Sequence, residues 1–421
     1  MSNMDIENIY AKYLSHPQIC TDTRNIIPDS IFVCLKGERF DGNQFALQSL
    51  EQGAALVITE DRALSDNPRC IVVENSLETL QQLAAHHRQQ LAIPVIGITG
   101  TNGKTTTKEL VSTVLAKKFR TAYTKGNLNN HIGVPLTLLS IKPSDEIAIV
   151  EMGANHPGEI EFLCNIARPE FGLITNVGKA HIEGFGSEAE IVHTKKALYR
   201  SVISDHGTLF VNINDQKLRD GLDYDKVVYY AEGGEENIVN MSPYLRIHVA
   251  GHEVDTHLTG SYNIYNFLAA AAVGHYFGVS DEQIAEALGE YEPSNHRSQV
   301  NKIGTNVIIS DYYNANPTSM EAAVRNLAQL QHPHKLAILG DMRELGPVSR
   351  EEHLKIVQLC DTLHLDAIFV GAEFSAHQPE HCYPDADKLN EALKAQPISD
   401  SLILVKGSNS MHLDKLTALL Q

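Results

Sequence analysis

The chain has 421 residues, 43% hydrophobic and 20% charged, so it is long enough for about three domains that each bury a core. This composition excludes a disordered, collagen-like or coiled-coil protein. Thirty-four Lys and Arg against 52 Asp and Glu give a formal net charge of −18, which argues against nucleic acids or anionic membranes as partners. We therefore expect any phosphate ligand to bind at a local site, with a metal ion.

The N-terminal sequence and the cysteine pattern predict a cytoplasmic protein with no membrane insertion. The first residues, MSNMDIENIYAKYL, are amphipathic and lack the apolar run of a signal peptide. No stretch reaches the roughly 20 apolar residues of a membrane span. The six cysteines are scattered without a CxxC pair, which favours reduced thiols over a disulfide framework or a zinc site.

The first of three predicted units covers residues 1–91. It has strand-like runs at 31–35, 55–58 and 70–73, separated by turn residues. Apolar residues at helical spacing follow over 77–91. We expect a small mixed α/β domain.

The second unit, residues 92–292, opens on a short apolar strand at 95–99, followed by a glycine-bearing loop and an amphipathic helix. Strand-like runs at 147–150 and 173–175 each lead into polar residues, as where parallel strands deliver side chains to a crevice. The rest of the unit is predicted to be rich in strands over 207–258 and helical over 261–277. These features predict a central parallel sheet.

The third unit, residues 293–421, alternates strands with helices. This alternation is typical of a parallel, doubly wound sheet, so the fold class is α/β throughout. The predicted strands are 307–310, 336–339, 367–370 and 402–405, and the predicted helices are 319–330, 351–363, 387–393 and 413–420.

The most informative segment is GITGTNGKTT at 97–106, between the apolar strand and the helix. Backbone N–H groups at a helix start are unpaired and lie at the positive end of its dipole, so they favour phosphate. Glycines let the backbone approach the phosphates, a lysine reaches the β- and γ-phosphates, and a following hydroxyl ligates Mg²⁺. The glycine spacing disfavours a dinucleotide fingerprint, and the alternative of a chance glycine-rich turn stays open. The predicted ATP-binding residues of this loop are Gly100, Thr101, Asn102, Gly103, Lys104, Thr105 and Thr106.

A metal held by Thr105 needs hard ligands from other segments. Glu151 ends one predicted strand, in EMGAN, and His181 follows another, in FGLITNVGKAH. In a parallel sheet these strand ends point at the same crevice as the loop. Each residue alone has a plain alternative, a solvated carboxylate or a surface histidine. Their shared position makes Thr105, Glu151 and His181 the predicted metal ligands.

Further segments in register over essentially the whole chain resemble the Mur ligase family. GITGTNGKTTTKE, TKGNLNNHIGVPLTLL, EMGANHPGEI and TNVGKAHIEGFGS resemble its central domain, and GSYNIYNFLAA, SDYYNANPTSM, LGDMRELG and VKGSNSMHL agree with its later segments. TDTRNIIPDSIFVCLKGERFDGNQF resembles the domain that holds a UDP-sugar. The resemblance implies a central ATPase-like sheet with a P-loop and a Rossmann-like C-terminal ligase domain. The set is most similar to the branch that joins D-alanyl-D-alanine to UDP-N-acetylmuramoyl-tripeptide.

The resemblance also implies roles for individual residues. Lys104, His181 and Lys195 would be catalytic, and Lys195 lies where the family can carry a carbamylated lysine. Asn263 and Asn266 would contact the nucleotide, and Arg297 and Asp311 would hold ATP when the domains close. The substrate residues would be Thr23, Arg24 and Asp41 for the UDP-sugar, and Asn127, Asn129 and Asn130 for the growing peptide.

The implied reaction is ATP-dependent amide-bond formation through an acyl phosphate, by a monomer that uses ATP and Mg²⁺. A carboxylate is a poor electrophile, so it first accepts the γ-phosphoryl group, and the amine of D-alanyl-D-alanine then attacks. Three alternatives stay open: a sister ligase that adds another amine, a folylpolyglutamate-type ligase, and a P-loop switch protein without ligase chemistry. The segment TDTR…FDGNQF argues against the folylpolyglutamate type, which should lack the UDP-sugar unit.

Overall fold

The computed structural model describes residues 3–38, 40–294 and 297–419 and has the predicted α/β architecture. Two six-stranded sheets, each flanked by helices, form the central and C-terminal units, and a smaller four-stranded sheet forms the N-terminal unit. None of the helices in the described part of the chain combines the length and apolar character needed to cross a membrane.

The N-terminal unit is a four-stranded parallel sheet in the order β1-β2-β5-β6, with a separate two-stranded hairpin, β3-β4. The middle strands of the sheet are buried on both faces, which explains their continuous apolar runs. Its helices are α1 (Asn3–Ser15), α2 (Ala46–Glu51) and α3 (Ser76–Gln90), and its strands are β1 (Ile19–Cys20), β2 (Ile31–Val33), β3 (Lys36–Gly37), β4 (Phe40–Asp41), β5 (Leu56–Thr59) and β6 (Cys70–Val72).

The central unit is a parallel sheet in the order β12-β11-β10-β7-β9-β8, with a three-stranded antiparallel sheet, β13-β14-β15, beside it. Strand β7 lies between β9 and β10, where successive connections change direction, and this switch point is where such sheets bind ligands. The strands are β7 (Val95–Thr99), β8 (Thr121–Tyr123), β9 (Ile147–Glu151), β10 (Phe171–Ile174), β11 (Thr208–Asn212), β12 (Val227–Tyr230), β13 (Ile238–Asn240), β14 (Arg246–Val249) and β15 (His252–Asp255). The helices are α4 (Lys104–Ala116), α5 (Gly133–Leu139), α6 (Glu159–Ala167), α7 (Ile182–Phe185), α8 (Glu188–Ser204), α9 (Gln216–Arg219), α10 (Ile264–Tyr276) and α11 (Asp281–Glu290).

The C-terminal unit has the sheet order β16-β17-β21-β18-β19-β20, in which only β16 is antiparallel to its neighbour. The strands are β16 (Gln299–Ile303), β17 (Asn306–Asp311), β18 (Lys335–Gly340), β19 (Asp366–Val370), β20 (Cys382–Tyr383) and β21 (Leu402–Lys406), and the helices are α12 (Pro317–Gln329), α13 (Ser349–Thr362), α14 (Ala372–Ser375) and α15 (Ala386–Ala395). Short 3-10 helices lie at Gly42–Phe45, Arg62–Leu64, Gly234–Asn237, Ser261–Asn263, Gly346–Val348, Asn409–Met411 and Leu413–Leu419.

The two junctions between units differ in character. One buried apolar cluster runs from α1 and α3 into the central sheet, so the N-terminal and central units share a core. The buried Arg88 on α3 reinforces this junction by donating to the carbonyl of Ala167 (2.9 Å) and pairing with Glu170. The described C-terminal residues form separate apolar clusters of their own. The predicted boundaries after residues 91 and 292 fall between elements and stay predictions.

Most predicted elements match observed ones to within one to three residues, and the segment at 413–420 is the clearest exception. There the structure has a 3-10 helix over Leu413–Leu419 instead of an α-helix, within the described residues. The bonding at its start runs from residue i to i+3, as from the Lys415 N–H to the His412 carbonyl (3.3 Å). The apolar spacing alone could not distinguish the two helix types.

Candidate functional site

A cavity of about 510 Å³ lies between the central and C-terminal units, at the carboxyl ends of β7, β9 and β17. Within the described part of the chain, Gly100, Lys195, Thr23, Arg24 and Asp41 are not among its lining residues. The predicted site residues that line it are Thr101, Asn102, Gly103, Lys104, Thr105, Thr106, Asn127, Asn129, Asn130, Glu151, His181, Asn263, Asn266, Arg297 and Asp311.

The phosphate loop connects β7 to α4 and depends on two glycines with left-handed backbones. Gly100 has φ +146°, and a Cβ there would lie 2.0 Å from the Thr175 hydroxyl oxygen. Gly103 has φ +79°, and a Cβ there would lie 2.7 Å from Asn266 Oδ1. Both positions therefore require glycine for conformation and for space. The loop is held from β10, since Thr175 Oγ1 donates to the Asn102 carbonyl (2.6 Å).

Lys104 begins α4 and folds back over the loop. Its ammonium donates to the carbonyls of Gly100 (2.9 Å) and Thr101 (3.0 Å) while facing the cavity. Burial lowers the pKa of Lys104 to about 8, although the nearby Glu151 carboxylate opposes this shift and Arg297 adds to it. A cation with no carboxylate partner at hydrogen-bonding distance in the described chain is well suited to bind a phosphate.

Thr105 and Glu151 meet at the first turn of α4. The Thr105 hydroxyl donates to Glu151 Oε1 (3.1 Å), and the Asn129 amide donates to the same oxygen (2.8 Å). Glu151 is fully buried, and its Oε2 has no hydrogen-bond partner among the described residues. A buried carboxylate oxygen beside a threonine hydroxyl suits a hard divalent cation, so these residues fit Mg²⁺.

His181 lines the same cavity but is engaged by the C-terminal unit. Its Nδ1 contacts the carboxylate of Glu344, and the Glu183 N–H donates to the Glu344 carbonyl (3.3 Å). Burial lowers the pKa of His181, and the hydrogen bond to Glu344 opposes this shift. Among the described residues, no group of three or more His, Cys, Asp or Glu side chains is arranged to hold a metal ion. The metal-ligand role of His181 therefore stays a prediction.

Asn263 and Asn266 form a buried hydrogen-bonded chain at the start of α10. The Asn266 amide donates to Asn263 Oδ1 (2.8 Å), and the Asn263 amide donates to the Thr259 carbonyl (2.7 Å). Thr107 on α4 donates to Asn266 Oδ1 (3.0 Å). These bonds fix both asparagines against the phosphate loop, at the cavity wall.

Asp311 ends β17 and pairs with a lysine that sequence reasoning did not assign. Lys406, at the end of β21, is the register partner of Asp311 and donates to its Oδ2 (2.7 Å). The guanidinium carbon of Arg297 lies 4.0 Å from the ring centroid of Tyr313, and Arg297 Nε is buried without a hydrogen-bond partner in the described chain. The C-terminal wall thus presents two cations, and VKGSNS at 405–410 contained the signal for Lys406.

A polar contact joins the phosphate loop directly to the C-terminal unit. Asn316, the N-cap of α12, donates to Asn102 Oδ1 (2.7 Å), and Thr318 Oγ1 accepts from the Lys179 N–H (3.2 Å). Asn316 also lines the cavity. The sequence pattern did not indicate this contact, because it depends on how two units dock.

Lys195 is buried on α8, outside the described cavity lining. Its side chain is 2% exposed, with the ammonium 5.9 Å from the ring centroid of Phe185. Burial lowers the pKa of Lys195 far below its usual value, the charge of Lys104 adds to this, and Glu159 opposes it. The adjacent Lys196 is half-buried and donates to the Asp220 carbonyl (2.7 Å), and burial also lowers its pKa.

The remaining predicted substrate residues form local structure. Asp41 caps a 3-10 helix by accepting from the Asn43 N–H (3.0 Å). Arg24 is exposed and bidentate to Asp22, which holds the pKa of that carboxyl near 2. Thr23, Arg24 and Asp41 lie in the N-terminal unit, away from the described cavity lining. Asn130 caps the turn into α5, and Asn127 and Asn129 precede it at the cavity.

Three family models match the chain in order. They are the Mur ligase family catalytic domain over residues 18–96, the Mur ligase middle domain over 98–274, and the Mur ligase glutamate ligase domain over 296–409. A UDP-N-acetylmuramoyl-tripeptide–D-alanyl-D-alanine ligase from Bacillus subtilis is 34% identical, covering 94% of this chain and 92% of that protein.

Solved structures agree with the sequence comparisons. A crystal structure of MurF from Acinetobacter baumannii is 33% identical with a TM-score of 0.85, covering 96% of this chain and 93% of that one. MurF from Thermotoga maritima, in complex with ADP, is 25% identical with a TM-score of 0.83, covering 100% of this chain and 98% of that one. The predicted fold class is confirmed, and the chain belongs to the Mur ligase family.

Proposed function

We propose that this chain is an ATP-dependent ligase that joins D-alanyl-D-alanine to UDP-N-acetylmuramoyl-tripeptide in peptidoglycan precursor synthesis. The observation that carries the proposal is one cavity that combines a phosphate loop with Arg297 and Lys406 of the C-terminal unit, in a chain similar over nearly its full length to ligases of this name. A nucleotide switch would need the loop but not the cations across the cavity.

The phosphate loop would bind ATP, and Lys104 would move from the loop carbonyls to the phosphates. Its charge would neutralise the transferring phosphoryl group as the acceptor carboxylate becomes an acyl phosphate. Asn263 and Asn266 would hold the nucleotide beside the loop. Arg297 and Asp311, with Lys406, would hold it from the C-terminal unit and help exclude water from the reactive acyl phosphate.

Mg²⁺ would be held by Thr105 and Glu151, with His181 as the further predicted ligand. Glu151 Oε2 accepts no hydrogen bond from the described chain, which supports this assignment. When bound, the ion would neutralise charge on the phosphate oxygens. Asn129 would keep the carboxylate oriented through its hydrogen bond to Oε1.

Lys195 is proposed to be carbamylated. Its desolvated amine favours the neutral form, which can add CO₂ with release of a proton. The negative carbamate would then offset the charge of Lys104, whose influence on Lys195 supports their proximity. The neighbouring Lys196 is only half-buried and donates to a backbone carbonyl, so it is desolvated less than Lys195.

The substrates are proposed to bind on both sides of the phosphate loop. Thr23, Arg24 and Asp41 would hold the UDP-sugar on the N-terminal unit, and Asn127, Asn129 and Asn130 would lie along the peptide. We further propose that the enzyme acts as a monomer in the cytoplasm.

The test is phosphate release by the purified chain with UDP-N-acetylmuramoyl-tripeptide, ATP and one amine at a time. D-Alanyl-D-alanine should support turnover, whereas D-Glu, L-Lys and diaminopimelate should not. Equal turnover with any free amino acid would move the chain to a sister branch of the family. ATP hydrolysis that needs neither acceptor nor amine would instead favour a nucleotide switch.

A further inference from the structure

Lys108 is a buried cation beside the site for which the proposed reaction has no use. It lies on α4, one turn after the phosphate loop, and its side chain is 1% exposed. Its ammonium lies 3.8 Å from Glu151 Oε2 and 3.7 Å from Glu109 Oε1. Among the described residues, Lys108 does not line the cavity, although Glu151 does. The lysine therefore contacts Glu151 from the side away from the cavity and does not reach a nucleotide.

The two oxygens of Glu151 have different surroundings. Oε1 accepts from Thr105 and from Asn129, whereas Oε2 accepts no hydrogen bond from the described chain and has Lys108 at ion-pair distance. A fully buried carboxylate without a counter-charge is strongly unfavourable. Lys108 supplies that counter-charge at the oxygen that is free for a metal ion.

Lys108 is enclosed and anchored. Glu109 Oε2 accepts from the hydroxyl of Tyr291 (2.6 Å), which fixes the second carboxylate that contacts the lysine. The ring of Tyr123 lies below the ammonium, with 5.8 Å to its centroid. Lys104 is also within electrostatic range of Glu151, but it faces the cavity and can follow the phosphates. Lys108 is enclosed away from the cavity, so it cannot move to the phosphates as Lys104 can.

We propose that Lys108 weakens divalent-metal binding to the nucleotide-free enzyme, so that Glu151 receives Mg²⁺ together with the nucleotide and not before it. The proposal rests on the proposed function, in which Glu151 is a metal ligand. A divalent ion on Oε2 is repelled by an ammonium that already lies 3.8 Å from that oxygen. Phosphate oxygens add the negative charge that outweighs this repulsion. Lys108 is thus a positioning residue that makes metal binding depend on nucleotide.

The test measures binding of Mn²⁺ alone to the full chain without nucleotide, by electron paramagnetic resonance of free Mn²⁺ and by calorimetry. Lys108→Met should bind Mn²⁺ about tenfold more tightly than wild type, or better, because the repulsion is gone. Lys108→Gln should also bind Mn²⁺ more tightly than wild type, and this variant is used for the measurement if Lys108→Met does not fold. Lys108→Arg keeps the charge and should resemble wild type.

The matched control is Lys117→Met, at the C-cap of the same helix. Lys117 pairs with Glu290 (2.8 Å) and Glu286 (3.2 Å). Neither carboxylate is a proposed metal ligand, so Mn²⁺ binding should be unchanged. Unchanged or weaker Mn²⁺ binding in folded Lys108→Met or Lys108→Gln overturns the proposal.

A second measurement separates this inference from the proposed function. Glu151→Gln is tested with Mn²⁺ and a non-hydrolysable ATP analogue. If Glu151→Gln binds the pair as tightly as wild type, Glu151 is not a metal ligand, and the assignment of Glu151 to Mg²⁺ and the role of Lys108 both fail, whereas the ligase function is tested separately by phosphate release. If Glu151→Gln weakens binding but the Lys108 variants match wild type, only the role of Lys108 fails.

Discussion

Lys406→Met should destabilise the C-terminal unit, because it leaves Asp311 without its ion-pair partner. The pair is buried, with side chains 2% and 16% exposed and 2.7 Å between Nζ and Oδ2. At that distance the attraction is about 6 kcal/mol for an effective dielectric constant near 20, and the desolvation of both groups offsets part of it. Removing one partner of a buried pair costs roughly 3–5 kcal/mol. Because water reaches Asp311, we expect Lys406→Met to lower the free energy of unfolding by about 3 kcal/mol, the lower end of this range.

The chain has no Trp, so hydrogen exchange of the β17 and β21 amides in increasing urea is the suitable assay of local stability. The matched control is Lys388→Met, whose partner Glu391 is equally close (2.9 Å) but whose side chains are 58% and 65% exposed. The free energy of unfolding of that variant should fall by less than about 0.5 kcal/mol. The double variant Asp311→Asn/Lys406→Met should recover at least half of the loss, since no buried charge remains. Equal losses for the two single Lys variants would refute the reasoning.

Three further predictions concern the site. Lys104→Ala should fold normally and lower kcat by about 10²–10³, measured by phosphate release, because loss of one donor to developing charge commonly has this effect; near-normal turnover would contradict its role. Gly100→Ala should abolish ATP binding in calorimetry, while Gly126→Ala, which also has a positive φ but open space around its Cβ, should retain it. Lys195→Ala should be nearly inactive and partly rescued by a short carboxylic acid, whereas Lys196→Ala should stay active; normal turnover of Lys195→Ala at low bicarbonate would exclude the carbamate.

The sequence was most informative where function constrains local backbone and neighbouring strand ends. The loop at 97–106 was predictable because its glycines, lysine and threonine lie between a strand and a helix, and β7 and α4 occupy those places. Glu151 was predictable because it ends a strand next to β7. Both lie at the same edge of the sheet because the carboxyl ends of parallel strands meet there.

Contacts between units could not be predicted in the same way. Asn102 with Asn316 and His181 with Glu344 are more than 150 residues apart, and each pair depends on how the C-terminal unit docks. Lys108 was missed for a different reason. On the sequence it is one of several lysines on an amphipathic helix, and only the burial of its side chain distinguishes it.

The two junctions between units differ in their contacts, and this difference predicts which junction a ligand stabilises more. The N-terminal and central units share one apolar core, and separating them would expose that surface to water at a high cost. The described contacts between the central and C-terminal units are mainly polar, such as Asn102 with Asn316 and Asn326 with Thr259. Polar contacts exchange with water at a small net cost, so we expect this junction to separate at a lower cost than the other one. A nucleotide bound between Lys104 and Arg297 would contact both units at once, and the contacts that it can make only when the units are together would favour that arrangement.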